Sequence, residues 1–261
     1  MPIDTLLSYI APHYCYGCDA TGSLLCRSCL AAEKRSRYQV CVICGQPCAN
    51  GNACRRHALP YEALDCVLWR RGAVARLIDG YKFHRVRAAS GVLAQFLDEL
   101  LPEYDTSTVV VPVPTAPANI RKRGYDHMLL VARQFARRRG LRVERPLVRQ
   151  TNVTQHYARS AAERRAQAQQ FFRMRSARAD VPYLILDDIF TTGSTITAAA
   201  QTLRAAGARD IRVGIIARQG NNKKATVKTP PHPSCDDTNR PERSLGRGTA
   251  ARRGRENTSR A

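Results

Sequence analysis

Two adjacent carboxylates, Asp187 and Asp188, stand just ahead of a hydroxyl-rich run, Thr191-Thr192-Gly193-Ser194-Thr195. The apolar residues before them, Tyr183 to Leu186, read as a buried strand. The small residues after them read as a turn that opens a helix. Backbone N–H groups at a helix N-terminus have no intrahelical partner, and the helix dipole favours an anion there. Carboxylates cannot bind that anion, but they accept hydrogen bonds from hydroxyls. An acid pair beside a phosphate cradle therefore suits a ligand carrying both groups, such as a ribose phosphate. An ordinary strand-to-helix turn with an Asp near its cap rarely combines two acids, this run and clean flanking periodicity.

A second chemistry lies near the N-terminus. Eight of the ten cysteines fall between Cys15 and Cys54. They form the pairs Cys15/Cys18, Cys26/Cys29 and Cys41/Cys44, each separated by two residues, and Cys54-Arg55-Arg56-His57 adds a fourth pair. Paired ligands at this spacing are what tetrahedral Zn²⁺ takes from short knuckles. Sequential pairing gives Cys15, Cys18, Cys26, Cys29 and then Cys41, Cys44, Cys54, His57. Interleaved pairing gives Cys15, Cys18, Cys41, Cys44 and then Cys26, Cys29, Cys54, His57. Sequential pairing is favoured because each site then closes a short loop. Cys48 is left over, as a spare thiol or an alternative to His57. Protein fills every position, so the zinc is expected to be structural, supplying folding energy to a segment poor in apolar residues.

These groups need elements to hold them. Ile196, Ala199, Ala200 and Leu203 share one helical face, and Gly207 sits where a C-terminal cap belongs. Leu64 to Trp69 reads as a strand. Val74, Leu77, Ile78 and Tyr81 mark a helix ending in Lys82-Phe83-His84-Arg85. Leu93, Phe96, Leu97, Leu100 and Leu101 mark another, stopped by Pro102. The β-branched run from Thr108 to Pro114 predicts a strand covered on both faces. A polar loop, Thr115 to Gly124, is expected next, carrying Arg121, Lys122 and Arg123. Met128, Val131, Ala132, Phe135 and Ala136 then predict a helix closed by Gly140. Leu147-Val148 is a candidate strand, Ala161 to Ala168 a candidate helix, and Ile211 to Ala217 the last strand. Alternating strands and helices predict an α/β fold with a parallel sheet, which binds ligands in loops after its strands.

Composition narrows the function classes. The chain has 261 residues, 44% of them hydrophobic, enough for a substantial core. No run of about 20 apolar residues is present, so no membrane insertion is expected. The start, Met1-Pro2-Ile3-Asp4, lacks a basic region followed by an apolar one, so a cytoplasmic location is expected and disulfides are not. A formal charge of +21 favours polyanionic partners, nucleic acid or phosphorylated substrates. From Gln219 the chain becomes rich in Pro, Gly, Asn, Thr, Lys and Arg, and a disordered basic tail is expected.

The stretch from Tyr183 to Thr195 resembles the phosphoribosyl-diphosphate (PRPP) signature of type I phosphoribosyltransferases: apolar run, acid-acid, two apolar residues, Thr-Thr-Gly-x-Thr. The resemblance implies that Asp187 and Asp188 hold the ribose 2′ and 3′ hydroxyls and act as the catalytic pair. They would position the sugar and stabilise the cation that develops as pyrophosphate departs. It implies that Thr191, Thr192, Gly193, Ser194 and Thr195 grip the 5′-phosphate, and that Mg²⁺ accompanies PRPP. A closer likeness covers most of Cys15 to Arg218. The Cys/His pairs, Tyr81-Lys82-Phe83, Val111-Pro112-Val113-Pro114, Arg121-x-Arg123-Gly124-Tyr125, Thr154-Gln155, Arg164-x2-Gln167 and Phe171 come in an order similar to the ComF/GntX family. That family joins a zinc ribbon to a phosphoribosyltransferase-like domain and acts in competence.

The expected layout is a zinc-ribbon segment over residues 1–60, the phosphoribosyltransferase-like domain over 61–218, and the tail over 219–261. Lys82, Arg121, Arg123 and Arg164 become candidate PRPP contacts. Expected partners are PRPP, single-stranded DNA or other nucleic acid through the basic surface and tail, and other competence proteins. Alternatives to transfer onto an unidentified acceptor are a PRPP-sensing or nucleic-acid-binding factor without catalysis, and a zinc-ribbon adaptor. The chain departs from the family at Phe190, bulkier than the usual aliphatic residue, and at Gln167, where Asn is usual. It also departs at Asp126-His127, where the family has Asn-Gln. Asp126 puts negative charge at that position, which argues against a diphosphate contact there. The ligand count predicts about two zinc equivalents per chain. Atomic absorption on the purified protein checks it, and Cys15→Ser or Cys41→Ser should each remove about one; an unchanged content in both would rule the sites out.

Overall fold

Tyr183–Phe190 is a continuous apolar strand interrupted only by its two acids, and the structure makes it the central strand of the sheet. The computed structural model describes residues 13–33, 41, 44, 46, 57–150, 171–175, 178 and 180–219. Cys48, Cys54, Thr154, Gln155, Arg164, Gln167, the expected helix over 161–168, Cys235 and the tail beyond Gln219 lie outside the described residues.

The elements in chain order are α1 (Arg27–Glu33), β1 (Ala63–Trp69), α2 (Gly72–Phe83), α3 (Ala89–Leu100) and β2 (Val109–Pro112). Next come α4 (Pro117–Arg123), α5 (His127–Arg139), β3 (Arg142–Val143) and β4 (Leu147–Arg149). Then follow β5 (Phe172–Met174), β6 (Tyr183–Phe190), α6 (Ser194–Ala205) and β7 (Ile211–Arg218). Five strands pair in the order β1-β7-β6-β2-β3, all parallel. β4 and β5 form a separate antiparallel ribbon.

Parallel strands need crossovers, and crossover helices cover both faces of the sheet. On one face α2, α3 and α5 bury Leu77, Leu93, Phe96, Met128 and Phe135 against Leu184 and Leu186. On the other, α6 and the ribbon bury Ile196, Leu203, Leu147 and Phe172 against Tyr183 and Ile185. Strand residues alternate between faces, which is why Leu184 and Leu186 belong to one core and Tyr183 and Ile185 to the other. β2 tolerates Pro112 because β3 pairs only with Val109 and Val110, so the missing N–H falls beyond the last shared rung.

One local expectation is corrected, and two further elements find their places. Thr115 to Gly124 is not a plain loop: α4 occupies Pro117–Arg123, begun by a proline in its first turn and ended by Gly124 at φ 84°. It buries no residue, so its sequence carries no apolar period to read. Leu147-Val148 forms a strand, but in the ribbon rather than the main sheet. Its partner β5 sits in a polar stretch, held by Phe172, which is only 2% exposed.

The cysteine-rich segment packs on this scaffold. Cys15, Leu24, Leu25 and Cys29 join the core under α2 and α3. Arg76 of α2 donates to the carbonyl of Tyr16, through Nε at 2.8 Å. The Tyr16 ring lies so close to Gly80 that a Cβ there would collide with its hydroxyl. Among the described residues no helix is long and apolar enough to cross a membrane. Gly80→Ala is expected to cost about 1–3 kcal/mol by overpacking, and Tyr16→Ala to relieve most of that in the double variant. Urea unfolding of the four proteins checks it; additive effects would mean that the two residues do not touch.

Candidate functional site

The acids follow Leu186, the last residue of β6 that pairs with β2, and alternation sends them opposite ways. Asp188 shares its parity with Leu184 and Leu186, so its side chain enters the face covered by α2 and α5. There Lys82 Nζ meets Asp188 Oδ2 at 2.7 Å and His127 Nε2 meets the same oxygen at 2.6 Å. Asp188 is 6% exposed, and burial alone would raise its pKa. The His127 hydrogen bond and the Lys82 charge outweigh that and hold the carboxyl below the ordinary carboxylate range. Asp187 takes the other parity. Burial, and then the neighbouring Asp188 charge, push it up to about 7, while the Asp188 N–H, donating to Oδ1 at 2.9 Å, and the Lys82 and Arg149 charges pull the other way. The pair is therefore split into one fixed anion and one carboxyl that titrates near neutrality.

His127 is held from its other side. Arg123 reaches Nδ1 at 2.9 Å. A guanidinium can only donate, so Nδ1 accepts and Nε2 carries the proton that Asp188 takes. Thr115 Oγ1 lies 3.0 Å from the same Nδ1 and donates to Asp126 Oδ1 at 2.9 Å. Arg123 Nε also donates to the Lys82 carbonyl at 2.8 Å, which ties α4 to the end of α2. Tyr81 donates to the His127 carbonyl at 2.7 Å and closes the ring between α2 and α5. Asp126, the departure that put a charge where an amide is usual, is spent elsewhere. Its side chain accepts from Leu129 N as the cap of α5 and faces Arg145 at 3.7 Å.

The turn after β6 is shaped by Phe190. Gly193 adopts φ 76°, and a Cβ there would stand 2.6 Å from the Phe190 ring. Only glycine fits that approach. Arg218 lies over the ring, 5.5 Å from its centroid. The Gly193 carbonyl accepts from Thr197 N at 2.8 Å, starting α6, while Ser194 N reaches Thr192 Oγ1 at 3.4 Å.

A cavity of about 300 Å³ opens between these parts. Asp187, Asp188, Thr191, Thr195, Lys82 and Arg123 all line it, six of the residues singled out from sequence. Thr192, Gly193 and Ser194 form the turn but are not lining residues. Arg121 is exposed on α4, outside the lining. Arg164 is not among the described residues. Sequence reasoning missed His127, Thr115, Asn119 and Arg149, which also line the cavity. A histidine at a helix start and scattered polar residues carry no spacing signal; only the sheet brings them to the acids.

The cysteines form two groups. Sγ atoms of Cys15, Cys18, Cys26 and Cys29 lie within 4.8 Å of one another, as do the donors of Cys41, Cys44 and His57. The grouping is the sequential one, with Cys54 outside the described residues. The donor set fits a tetrahedral dication. Gly17 N and Cys26 N both point at Cys15 Sγ, at 3.3 and 3.2 Å, the way knuckle amides support a thiolate. Burial raises Cys29, and the neighbouring sulfurs raise it further. At Cys26 the opposing hydrogen bonds, led by Ser28, prevail over burial and bring the thiol down to about 6. Four sulfurs this close do not ionise together without a cation.

No family model matches the chain. Curated relatives do. The chain is 26% identical over 206 residues to the DNA utilization protein YhgH of Salmonella typhimurium, covering 74% of this chain and 90% of that protein. It is 25% identical over 210 residues to the competence protein ComFC of Streptococcus pneumoniae, covering 78% and 87%. Overlays on solved structures are partial. Glutamine PRPP amidotransferase from B. subtilis gives a TM-score of 0.34 at 24% identity over 50% of this chain, which spans only 26% of that one. A hypoxanthine phosphoribosyltransferase from Staphylococcus aureus gives 0.35 at 14% identity, covering 54% and 70%.

The split between the acids has a stability consequence. A carboxyl raised from 3.8 to about 7 on folding binds its proton more tightly in the native state. Native stability then falls as pH rises from about 4 to about 7. Asp187→Asn removes that loss. The variant should exceed the unsubstituted protein by on the order of 2–4 kcal/mol at pH 8 and by little at pH 4. Urea titration at both pH values measures it, and a gap that does not change with pH would refute the assignment.

Proposed function

We propose that this homologue of the ComFC and YhgH proteins binds PRPP with Mg²⁺ in the β6–α6 cavity and transfers phosphoribose to an acceptor, in the service of DNA uptake. The observation that carries the reading is the convergence of both acids, Thr191, Thr195, Lys82 and Arg123 on one cavity. The 5′-phosphate would take the N-terminus of α6 and the Thr191 to Thr195 turn, where donors and dipole suit it. The ribose hydroxyls would donate to Asp187 and Asp188. Mg²⁺ bound with the diphosphate spreads negative charge on the leaving group. Lys82 and Arg123 would add to that stabilisation, and the acids would fix the sugar as positive charge develops at C1. Deprotonated Asp187 accepts a hydroxyl better than the protonated form, so binding would strengthen above pH 7.

One observation favours a sensing role beside transfer. Asp188 is already held by Lys82 and His127. Both contacts fall on Oδ2, so a sugar hydroxyl on Oδ1 would add a third partner to the carboxylate that joins α2 to α5. The excess positive charge supports nucleic acid as a partner of either reading. The two cysteine groups would hold structural zinc.

Calorimetric titration with PRPP and Mg²⁺ tests the pocket. Asp187→Asn and Asp188→Asn should each weaken binding about 10- to 100-fold, the worth of one charged hydrogen bond. Equal affinity in both variants would sink the proposal. Measuring PRPP consumption against metabolites and oligonucleotides then separates transferase from sensor.

A further inference from the structure

Beside the cavity assigned to PRPP lies a second, of about 120 Å³. The two share a wall at Thr115 and Arg149. The floor of the second is apolar, from Ile120 of α4 and Leu147 and Val148 of β4. Its rim is cationic: Arg145, Arg149 and Arg175 all line it. Nothing in the donor reading uses Arg145 or Arg175, and the ribbon that carries these groups stands apart from the main sheet.

The geometry is made by the ribbon. Arg145 precedes β4 and Arg175 follows β5, so antiparallel pairing of Leu147 with Met174 brings them to the same end. Arg175 N donates to the Pro146 carbonyl at 2.8 Å, which fixes that end. Arg149, at the other end of β4, lies 6.0 Å from the centroid of the Phe172 ring. Asp126 offsets part of this charge at Arg145, at 3.7 Å. Three guanidiniums around an apolar floor leave the site net positive. Guanidinium binds a carboxylate as a planar fork. Drug-sized ligands fill cavities of roughly 300–1,000 Å³, so this one suits a single ring.

We propose that this cavity is an acceptor subsite, and that it takes a small planar ligand of one ring bearing a carboxylate. The proposal rests on the donor reading of the neighbouring cavity. The ring lies on Ile120, Leu147 and Val148, and the carboxylate faces the arginines. On transfer, a nucleophilic atom of the ligand bonds to C1 of the ribose as the C1–O bond to pyrophosphate breaks. Pyrophosphate leaves with the bonding pair, and the proton of the nucleophile passes to solvent.

Benzoate is the probe, with benzamide as the neutral shape match and pyrophosphate as competitor, titrated into the full chain by calorimetry. Benzoate should bind at least about tenfold more tightly than benzamide. Arg175→Gln and Arg145→Gln should each weaken benzoate about tenfold, with thermal melting of each variant showing that it remains folded. PRPP with Mg²⁺ should bind alongside benzoate. Equal binding of benzamide, or no effect of either arginine substitution, overturns the proposal. Displacement of benzoate by pyrophosphate also overturns it, because the arginines then extend the diphosphate site. If benzoate binding depends on Arg175 and PRPP does not bind at all, the donor reading fails and the anion subsite stands.

Discussion

A carboxylate buried at the end of a central strand has to be neutralised where it stands. Asp188 is that group, and its charge organises the molecule around it. Removing water from an ion costs several kcal/mol unless partners replace it. The partners are Lys82 from the end of α2 and His127 from the start of α5. A rotation or axial shift of either helix would take away one of the carboxylate's two partners. Arg123 and Tyr81 then secure the partners themselves. The result is a polar clamp set into the mouth of an otherwise apolar layer. Such networks are rigid when complete and costly when broken.

Asp187 differs from its neighbour only by strand parity. One residue along, the side chain points to the other face, lacks the direct contacts to the lysine and the imidazole, and keeps the repulsion. Two chemically identical groups thus acquire opposite behaviour from a single backbone alternation. A site that needs one permanent anion and one adjustable acceptor obtains both from an acid pair on a strand.

The cysteine-rich segment reaches the same clamp indirectly. Tyr16 sits between two cysteines of the first group and lies against Gly80, two residues before Lys82. Arg76 grips the Tyr16 carbonyl from the same helix. Both contacts fall on the helix that ends in Lys82-Phe83. On the far side of the cavity, Phe190 plays the matching part. Its ring, under Arg218, leaves room above it only for a glycine, and that glycine sets the turn into α6.

The amino-acid order by itself determined the parts of the protein that depend on local period and spacing. β6, α6, α2 and α5 are legible because apolar residues recur at the period of their elements, and the acid pair and hydroxyl run are contiguous. The cysteine pairs are legible for the same reason, since their spacing is local. Tertiary structure decided what depends on residues far apart in the chain. Lys82, Thr115, His127 and Asp188 come from four separate segments, and no period connects them. α4 and β5 escaped the sequence reading because neither has a buried periodic face; α4 is fixed by its caps and β5 by pairing with β4. The split of the acids also needed the fold, because it depends on which helices cover each face of the sheet.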